Sequence, residues 1–495
     1  MSSAANIFSL PPGSVGMLID LYELTMAYGY WKSRTIDKEA VFHLSFRESP
    51  FQSGFTICCG LNAAIEYLQE LEFTDSDLKY LGSLPGGDGK PLFDHEFLSY
   101  LKTLQFTCSV DAIPEGTVVF PQEPLVRVQG PILQAQIIET ALLNFFNFQS
   151  LICTKASRIC LAAQGEPVIE FGLRRAQGID GGITASRAAY IGGCAATSNL
   201  LAGKLYGIPV SGTHAHSWVM SFDSEVEAFE EYARAMPNNA VFLVDTYSSL
   251  AGVHHAVEVG RKLRAGGHNL AGIRLDSGDL AFLSIQARKI LDEAGFKNAV
   301  IIGSNDLDER LITSLKQQRA AIACWGVGTR LVTAYDQPAL GGVYKLSAIR
   351  KPGEAWEYKI KLSEQAAKIT NPGILQVRRF RSATELIGDA IYDTSRPVPA
   401  EFVIVDPLDL TRRKHIPAHS AAEDLLVPVF REGKLVYPIP PLNETRARVR
   451  EQLAMLHPGI KRFTNPHQYP AGLELRLHEF KTDLVLRARG EKQIH

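Results

Sequence analysis

The stretch that decides the fold runs from residue 270 to residue 306 and reads LAGIRLDSGDLAFLSIQARKILDEAGFKNAVIIGSND. Its two nearly apolar runs, Leu270–Leu275 and Ala299–Ile302, are short and apolar on both faces, which predicts buried strands. Between them, Asp279–Ala294 has the length of a helix. This order predicts two parallel strands joined by a crossover helix, with polar residues directly after each strand.

The same pattern recurs along the middle of the chain. Further apolar runs, each followed by a polar or glycine-rich cluster, are Pro167–Phe171, Gly207–Val210, Ala240–Val244 and Ala321–Trp325. Such a series forms either a barrel or an open doubly wound sheet. No GxGxxG follows the first strand, and the polar clusters are spread over every strand end, which favours the barrel. Because only about six or seven strands are visible, we predict an incomplete, irregular α/β barrel.

The regions on either side of this barrel predict mixed α and β structure. Apolar residues at helical steps predict a helix over Met17–Trp31. The other predicted elements are strands at Ala40–Phe46, Val118–Val128, Glu401–Val405 and Leu425–Phe430, and a helix at Glu444–Leu456. We expect an α/β N-terminal domain at residues 1–135 and the barrel, with the active site at its strand C-terminal ends, at residues 136–345. Residues 346–495 are expected to complete the N-terminal domain and to add an appended α+β domain.

Composition limits the classes of function. Of the 495 residues, 46% are apolar and 21% are charged, and the net charge is −2, which is typical of a soluble globular protein. The chain has no excess of basic residues, so no nucleic-acid partner is expected. It also has no run of about 18 apolar residues, so no membrane span is expected. The first residues lack the pattern of a secretory signal. The seven cysteines form no CxxC pair, which predicts reduced thiols and a cytoplasmic protein.

The chemistry of such a fold belongs at the C-terminal ends of its strands. The clusters there are Glu170–Arg175, Ser211–Ser217, Asp245–Tyr247, Arg274–Asp279, Gly303–Asp306 and Gly326–Arg330. Arginine offers a planar fork to a carboxylate or a phosphate, and glycine lets backbone N–H groups approach oxygen closely. Carboxylates such as Asp245, Asp276 and Asp279 can hold Mg²⁺ through water or offset positive charge on a sugar. Together the clusters predict a site for anionic ligands.

Each cluster also has a structural explanation. A tight turn explains Gly326–Thr329 about as often as a bound phosphate does. Asp279 opens a helix, as an N-cap does. His214 and His216 are two residues apart, and either one alone is more often structural than catalytic. The succession of clusters at successive strand ends is what favours a functional site.

The order of these motifs resembles that of nicotinate phosphoribosyltransferases. The segments that carry the resemblance are Asp20–Met26 (DLYELTM), Glu170–Ala176 (EFGLRRA), Gly212–Ser217 (GTHAHS), Arg274–Asp279 (RLDSGD), Gly326–Thr329 (GVGT) and Lys361–Gly373. The resemblance implies the type II phosphoribosyltransferase fold and a homodimer with shared active sites. It also implies a reaction of nicotinate with phosphoribosyl pyrophosphate that gives nicotinate mononucleotide and pyrophosphate, in NAD biosynthesis. The reaction would be driven by ATP hydrolysis and would need Mg²⁺.

The resemblance further implies roles for individual residues. Phe171 and, from the other subunit, Tyr22 would stack on the two faces of the pyridine ring. Arg274 and Thr213 would contact the nicotinate carboxylate or lie beside the substrates. Arg174 would bind phosphate. Asp276 and Asp245 would lie near the ribose hydroxyls and Mg²⁺. Gly328 and Thr329 would hold the 5′-phosphate with help from Ser304. The metal ligands stay unknown, with Mg²⁺ expected on substrate phosphates and Asp245, Asp276 and Asp279 as candidates.

His216 is the residue by which the family couples ATP to synthesis, through a transient phosphohistidine. A free histidine is largely neutral at pH 7, and a neutral imidazole is a competent nucleophile. We expect the phosphate on His216 to order the phosphoribosyl pyrophosphate pocket. The alternative is that His216 only hydrogen-bonds the substrate. His214 is expected to have no chemical role, so the predicted catalytic residues are His216, Asp276 and Asp245.

Other functions remain open. A nicotinamide-using relative shares the fold and resembles Phe171–Arg174 and Arg274–Asp276, but Asp20–Met26 and Gly212–Ser217 look more like the nicotinate enzyme. A quinolinate-using decarboxylating enzyme should carry more basic residues and is usually shorter. A non-catalytic, nucleotide-binding paralogue should have lost part of the site, whereas this chain keeps Tyr22, Phe171, Arg174, His216, Arg274 and Asp276.

Overall fold

The structure, a computed structural model, describes residues 15–490 apart from the side chain of Ala366, and these residues form two compact units. The sheet unit consists of residues 152–338, and the flanking unit consists of residues 15–151 and 339–490. The domain limits expected at residues 135 and 345 remain predictions. The expected absence of a secretory signal concerns a segment that lies almost wholly outside the described residues.

The first part of the flanking unit contains both helices and strands, and its last helix continues past residue 151 into the sheet unit. Up to residue 162 the elements are helices α1 (Leu21–Lys32), α2 (Leu61–Gln69), α3 (Asp75–Ser83), α4 (His95–Lys102), α5 (Ile132–Gln136) and α6 (Glu139–Ala162), and strands β1 (Glu39–Phe46), β2 (Thr56–Ile57), β3 (Ser109–Ala112), β4 (Val118–Val119) and β5 (Val126–Pro131). The single strand expected over Val118–Val128 is wrong, because Gln122 has a left-handed φ of 71° and the chain turns between β4 and β5.

The sheet unit alternates short strands with helices. Its elements are strands β6 (Val168–Glu170), β7 (Ala196–Thr197), β8 (Val241–Leu243), β9 (Gly272–Leu275), β10 (Val300–Gly303) and β11 (Cys324–Val327), and helices α7 (Ile179–Ile191), α8 (Leu200–Tyr206), α9 (His216–Met220), α10 (Glu225–Ala235), α11 (Ser249–Ala265), α12 (Leu280–Glu293), α13 (Glu309–Gln317) and α14 (Thr329–Val332). The strands form one parallel sheet in the order β7-β6-β11-β10-β9-β8.

Burial and capping explain why this unit alternates. Ile273, Ile301 and Trp325 are almost completely buried, so their strands are covered on both faces by apolar packing. The polar residues after the strands begin the next helices. Asp279 accepts a hydrogen bond from the backbone N–H of Phe282 at 3.0 Å, and Asp308 caps α13 in the same way. The strand–helix order predicted from residues 270–306 is thereby present in the structure.

The sheet is not a closed barrel. Within the described residues its edge strands β7 and β8 do not pair with each other. The strand predicted at Gly207–Val210 is wrong, because Gly207 has a φ of 68° and ends α8, which leaves only a single bridge between Val210 and Thr197. The sequence instead missed β7, whose two residues are too few for a periodic signal.

The second part of the flanking unit is mostly β structure. Its elements are strands β12 (Gly342–Arg350), β13 (Glu357–Tyr358), β14 (Leu375–Arg381), β15 (Leu386–Asp393), β16 (Val403–Val405), β17 (Arg413–His415), β18 (Ala421–Asp424), β19 (Val427–Arg431), β20 (Lys434–Leu435) and β21 (Ala471–Glu474), and helices α15 (Leu442–Met455) and α16 (Leu475–Ala488). No helix among residues 15–490 has both the length and the apolar character needed to cross a membrane.

Two larger sheets organise the flanking unit. The first has the order β13-β12-β1-β5-β3-β19-β20, so β1 lies between β5 from the same part of the chain and β12 from the other part. The second has the order β17-β16-β21-β15-β14-β18. The fold is thus a mixed α/β fold with a parallel-sheet core and additional N-terminal and C-terminal structure.

A fully buried ion pair lies in the second of these sheets. Arg379 on β14 and Asp389 on β15 are both 0% exposed, and their side chains hydrogen-bond at about 3.0 Å. Tyr469 donates its hydroxyl to Asp389 at 2.9 Å, and Arg379 donates to the carbonyl of Val118 at 2.7 Å. The neighbouring pair Arg378–Asp424 is partly exposed to solvent. These adjacent arginines therefore sit in very different surroundings.

Candidate active site

Clusters predicted from the sequence meet at one edge of the parallel sheet. Phe171 follows β6, Gly328 follows β11, Ser304 follows β10, Asp276 follows β9, and Asp245 comes shortly after β8. Because these strands run parallel, their C-terminal ends lie along one edge. The edge therefore gathers an aromatic ring, a glycine turn, a hydroxyl and carboxylates.

Arg274 is the most firmly held cation at this edge. Its Nε donates to Ser304 Oγ at 2.8 Å, Nη1 to Thr213 Oγ1 at 3.3 Å, and Nη2 to Asp276 Oδ1 at 2.8 Å. A guanidinium has five N–H donors, so one donor on each terminal nitrogen remains for a ligand. Its central carbon lies 5.4 Å from the centroid of the Phe171 ring. A fixed fork beside an aromatic ring suits a flat ligand that carries a carboxylate.

Ser304 and Asp276 complete this network. Ser304 is buried and directs its hydroxyl to Asp276 Oδ1 while it accepts from Arg274. Partial burial alone would raise the pKa of Asp276. The hydrogen bond from Ser304, together with the charge and hydrogen bond of Arg274, outweighs this effect and holds the pKa below its ordinary value. Asp276 is therefore a carboxylate at neutral pH.

Asp245 has one oxygen committed to the protein and one that is not. Its Oδ2 accepts from the backbone N–H of Asp276 at 2.9 Å and from Ser277 Oγ at 2.6 Å. Its Oδ1 is buried and has no hydrogen-bond partner among the described residues. A buried carboxylate oxygen of this kind requires a donor or a cation. It fits a ribose hydroxyl or a water bound to Mg²⁺, whereas residues 15–490 contain no cluster of three or more metal-ligating side chains.

The two histidines have different surroundings. His214 is buried, its Nε2 accepts from the backbone N–H of Leu243 at 3.1 Å, and burial lowers its pKa, so it braces the end of β8 as a neutral ring. His216 begins α9 and its side chain is 40% exposed. Its Nδ1 lies 3.2 Å from Thr246 Oγ1, and its Nε2 lies 3.8 Å from Asp276 Oδ2. Of these two histidines, His216 is therefore the one whose ring is substantially exposed to solvent.

Gly326 makes room for the ring of Phe171. A Cβ at position 326 would lie 2.6 Å from the Phe171 ring and 3.3 Å from Ser304 Cβ. The backbone N–H of Phe171 donates to the carbonyl of Val327 at 2.8 Å, which holds β6 and β11 together at this point. The position and orientation of the ring therefore depend on the absence of a side chain at residue 326.

We expect Gly326→Ala to displace the Phe171 ring, because overpacking of this kind costs roughly 1–3 kcal/mol. The displaced ring should raise KM by about tenfold. Steady-state kinetics would measure the change. Gly181→Ala is the matched control, because a Cβ at that helical position meets nothing within 4 Å. Equal KM values for the two variants would contradict the expectation.

The other predicted residues lie at more varied positions. Arg174 is exposed on the turn Leu173–Arg175, and Thr329 begins α14 after Gly328. Asp279 is occupied as the N-cap of α12. Tyr22 belongs to the flanking unit, where it is 45% exposed and where burial, followed by the charges of Glu139 and Glu23, raises its pKa to about 12.

Glu170 lies in one of the sequence motifs, and no individual role was predicted for it. The structure buries Glu170 completely at the end of β6. Its carboxylate accepts from Ser186 at 2.8 Å, from Thr197 at 2.6 Å and from the backbone N–H of Gly172. These bonds fix the turn that presents Phe171. The sequence offered one indication of this role, because a carboxylate at the end of an otherwise apolar strand must have hydrogen-bond donors around it when it is buried.

A cationic cavity in the flanking unit was missed entirely. Its lining includes His43, Arg47, Lys345 and Lys368, and none of the described residues that line it is acidic. Burial lowers the pKa of Lys345, and the positive charges of Lys361 and Arg47 lower it further against the opposing effect of Glu139. These residues are far apart in the sequence, so no motif indicated the cavity. Its charge suits a phosphate group or a longer polyanion.

The loop at one side of this cavity is held by the C-terminal helix. Lys481 on α16 donates to Asn371 Oδ1 at 2.8 Å, and Gln122 donates to the carbonyl of Ala367 at 3.3 Å. Burial lowers the pKa of Lys481 to about 8. The segment Lys361–Gly373, which carried part of the sequence resemblance, thus supplies Lys368 to the cavity.

A parallel sheet with an arginine fork, an aromatic ring and carboxylates at its C-terminal edge defines an α/β protein whose site suits flat and phosphorylated anions. Models of the nicotinate phosphoribosyltransferase N-terminal domain, family and C-terminal domain match residues 17–147, 168–373 and 376–481. The chain belongs to the nicotinate phosphoribosyltransferase family, which confirms the resemblance seen in the sequence.

Individual relatives agree with this assignment. The chain is 43% identical to nicotinate phosphoribosyltransferase of Bacillus subtilis over 95% of its own length and 96% of the relative's. It is 34% identical to the human nicotinate phosphoribosyltransferase, covering 94% and 96%. The crystal structure of human nicotinic acid phosphoribosyltransferase matches with a TM-score of 0.82 and 31% identity over 94% of this chain and 99% of that one. A nicotinate-nucleotide pyrophosphorylase from Pyrococcus furiosus shares the fold, with a TM-score of 0.67 and 22% identity.

Proposed function

We propose that this chain transfers a phosphoribosyl group from phosphoribosyl pyrophosphate to nicotinate and that ATP is hydrolysed in the same cycle. Membership of the nicotinate phosphoribosyltransferase family assigns the transfer reaction. The observation that carries the choice of nicotinate is Arg274, whose two uncommitted N–H donors lie beside the Phe171 ring. Nicotinate is a flat ring with a carboxylate, and the fork matches that group.

In the proposed reaction the pyridine nitrogen attacks C1 of the ribose as pyrophosphate leaves. The bond between C1 and the pyrophosphate oxygen breaks, and the bond between C1 and nitrogen forms. Catalysis is then mainly positioning and electrostatic stabilisation. Phe171 and Arg274 orient the nicotinate, and the carboxylates of Asp245 and Asp276 face the ribose, where positive charge develops. Gly328 and Thr329 hold the 5′-phosphate, and Arg174 binds phosphate. Mg²⁺, when bound, would neutralise phosphate charge on the leaving group.

The coupling to ATP is assigned to His216. A ring nitrogen of His216 attacks the γ-phosphorus of ATP, an N–P bond forms, and ADP leaves. Water later breaks the N–P bond and releases phosphate. The half-exposed ring and its contacts with Thr246 and Asp276 support this role, because they hold the ring in place and leave it accessible.

His216→Ala is expected to abolish the stimulation of the rate by ATP while a basal transfer of phosphoribosyl groups remains. The physical reason is that alanine has no nucleophilic nitrogen. Nicotinate mononucleotide formation with and without ATP would be measured, with the exposed His254 on α11 replaced by alanine as the control. ATP stimulation that survives in His216→Ala would contradict the role.

The cationic cavity supports a second element of the proposal. We assign to it a phosphate group of phosphoribosyl pyrophosphate, pyrophosphate or ATP, because Arg47, Lys345 and Lys368 concentrate positive charge there. Tyr22 is assigned to the second face of the pyridine ring, contributed by a partner subunit.

A homodimer with shared sites is part of the proposal. Large apolar side chains are exposed near the C-terminal edge of the sheet unit: Ile179, Leu200, Met220, Tyr247 and Phe282, each more than half exposed. Where exposed apolar groups form a contiguous patch, the patch marks a surface that a partner covers. Light scattering would measure the mass in solution, and an active monomer would contradict the shared site. We also propose that the sheet is an incomplete barrel, which the Val210–Thr197 bridge beyond β7 supports.

The direct experiment incubates the purified chain with labelled nicotinate, phosphoribosyl pyrophosphate and Mg²⁺, with and without ATP, and with nicotinamide in parallel. Mononucleotide from nicotinate, increased by ATP and absent with nicotinamide, is the expected result. Product from nicotinamide alone would move the substrate assignment to the related enzyme. A chain that makes no product and binds neither substrate would be a non-catalytic paralogue. The buried cysteines, none of which forms a disulfide, support the proposal of a reducing compartment such as the cytoplasm.

A further inference from the structure

His43 occupies an unusual place in the wall of the cationic cavity. It lies on β1, opposite Arg127 on β5 and Lys345 on β12, and its side chain is almost completely buried. Burial, and after it the charge of Arg127, lowers the pKa of His43 to about 3. The ring is therefore neutral at pH 7, although two cations flank it in the sheet.

The hydrogen bonds of the ring decide where its proton lies. The backbone N–H of Leu375 donates to His43 Nε2 at 3.1 Å, so Nε2 is the acceptor. In a neutral imidazole the other nitrogen, Nδ1, then carries the hydrogen. That Nδ1–H is buried and has no hydrogen-bond partner among the described residues. Buried donors of this kind are rare in folded proteins and call for an acceptor.

The cavity indicates the nature of that acceptor. Arg47, Lys345 and Lys368 line the same space as His43, and the described lining contains no carboxylate. An anion drawn in by these charges would bring oxygen atoms to the wall that His43 forms. We propose that His43 Nδ1–H donates a hydrogen bond to an oxygen of a phosphate group bound in this cavity, so that His43 fixes the orientation of the phosphate.

This role differs from that of the cations. Lysine ammonium groups act as strongly hydrated point charges on flexible stems, so they attract a phosphate without fixing its orientation. The His43 ring is held by β1 and by Leu375, and its single donor points in one direction. The inference rests on the proposed use of the cavity for phosphate groups and adds the residue that orients them.

Two substitutions separate the ligand bond from the structural bond. A glutamine side chain can place an acceptor where Nε2 lies and has no atom at the Nδ1 position. An asparagine side chain can place a donor where Nδ1 lies and does not reach the Nε2 position. His43→Gln therefore keeps the bond from Leu375 and removes the donor to the cavity, whereas His43→Asn does the opposite. A third variant, Lys345→Gln with Lys368→Gln, removes charge from the cavity and keeps His43.

The experiment measures binding of inorganic pyrophosphate to the full chain by calorimetry at low and at high salt, with the thermal midpoint recorded for each variant. We expect His43→Gln to weaken binding by about ten- to a hundredfold, the usual effect of losing a hydrogen bond to a charged group. The loss should be the same at both salt concentrations, because no charge is removed. His43→Asn should bind within a few-fold of the unchanged chain even if its thermal midpoint falls. The double lysine variant should weaken binding and reduce its dependence on salt.

The outcomes separate two failures. If the double lysine variant binds pyrophosphate as tightly as the unchanged chain, the cavity is not the phosphate site and both assignments are overturned. If the lysines matter but His43→Gln binds normally, or if only His43→Asn loses affinity, the cavity assignment stands and the donor role of His43 is overturned. Weaker binding in His43→Gln alone among the His43 variants supports the inference.

Discussion

Arg274→Gln is expected to lower kcat/KM for nicotinate by about 10²–10³-fold, which corresponds to about 3–4 kcal/mol of lost transition-state stabilisation. The substitution removes the fork that would hold the substrate carboxylate. It also leaves Asp276, whose oxygen now accepts from Arg274 Nη2 and Ser304, without its cationic partner. Loss of one member of a partly buried, hydrogen-bonded charge pair typically costs several kcal/mol.

The measurement should compare nicotinate with nicotinamide in the same variant. Nicotinamide has no carboxylate, so the substitution should weaken its binding less than that of nicotinate, and the ratio of the two dissociation constants should narrow. Arg274→Lys keeps the charge but loses the planar fork, and an intermediate effect is expected. Arg261→Gln, at an exposed position on α11, is the matched control. A variant Arg274→Gln that retains the full preference for nicotinate would show that another group reads the carboxylate.

Asp389→Ala is expected to lower the free energy of unfolding of the flanking unit by about 3–5 kcal/mol. The variant removes the ion-pair partner of the fully buried Arg379 guanidinium and the acceptor of the Tyr469 hydroxyl. The one other carboxyl that acts on Arg379 among the described residues is that of Glu123, and burial raises its pKa. The large loss of stability comes from the buried charge that remains without its partner, because an intact buried ion pair contributes little net stability.

The adjacent arginine supplies the control for this prediction. Arg378 pairs with Asp424, and the two side chains are 23% and 33% exposed. Asp424→Ala should therefore cost less, about 1 kcal/mol, since water can solvate the remaining charge. Urea denaturation of both variants would measure the difference. Costs that agree within about 1 kcal/mol would mean that burial does not govern the energy of these pairs.

The strand ends of the sheet unit were predictable because each step of the inference was local. Short apolar runs predicted β8 to β11 nearly in place, and parallel pairing requires that the residues after them share an edge. Arg274, Asp276 and Ser304 therefore meet as expected, although which atoms bond could not be read from spacing. The assignment of Asp279 as a helix cap was also visible, because an aspartate before an amphipathic run has a known local role.

The rest depended on contacts that no local pattern records. The cationic cavity joins residues 43–47 with residues 345 and 368, which approach only because β12 pairs with β1. The alternation of apolar and polar residues along an antiparallel strand does not indicate which other strand will pair with it. The predictions missed β7 and the turn at Gln122 for a different reason. Strand β7 has only two residues, and the turn depends on one left-handed residue, so neither one changes the periodicity of the sequence.

The central position of β1 in the first sheet has a consequence for how the protein is made. A ribosome completes β1 long before it reaches β12, and the whole of residues 152–338 emerges in between. The sheet unit can fold from its own contiguous segment as it leaves the exit tunnel, because domains generally fold as units during synthesis. Until β12 has been synthesised, the side of β1 that pairs with β12 is an open strand edge, and other chains can pair with it. Slow synthesis of the residues between β1 and β12 would therefore prolong the time during which the nascent chain can associate with other chains through this edge.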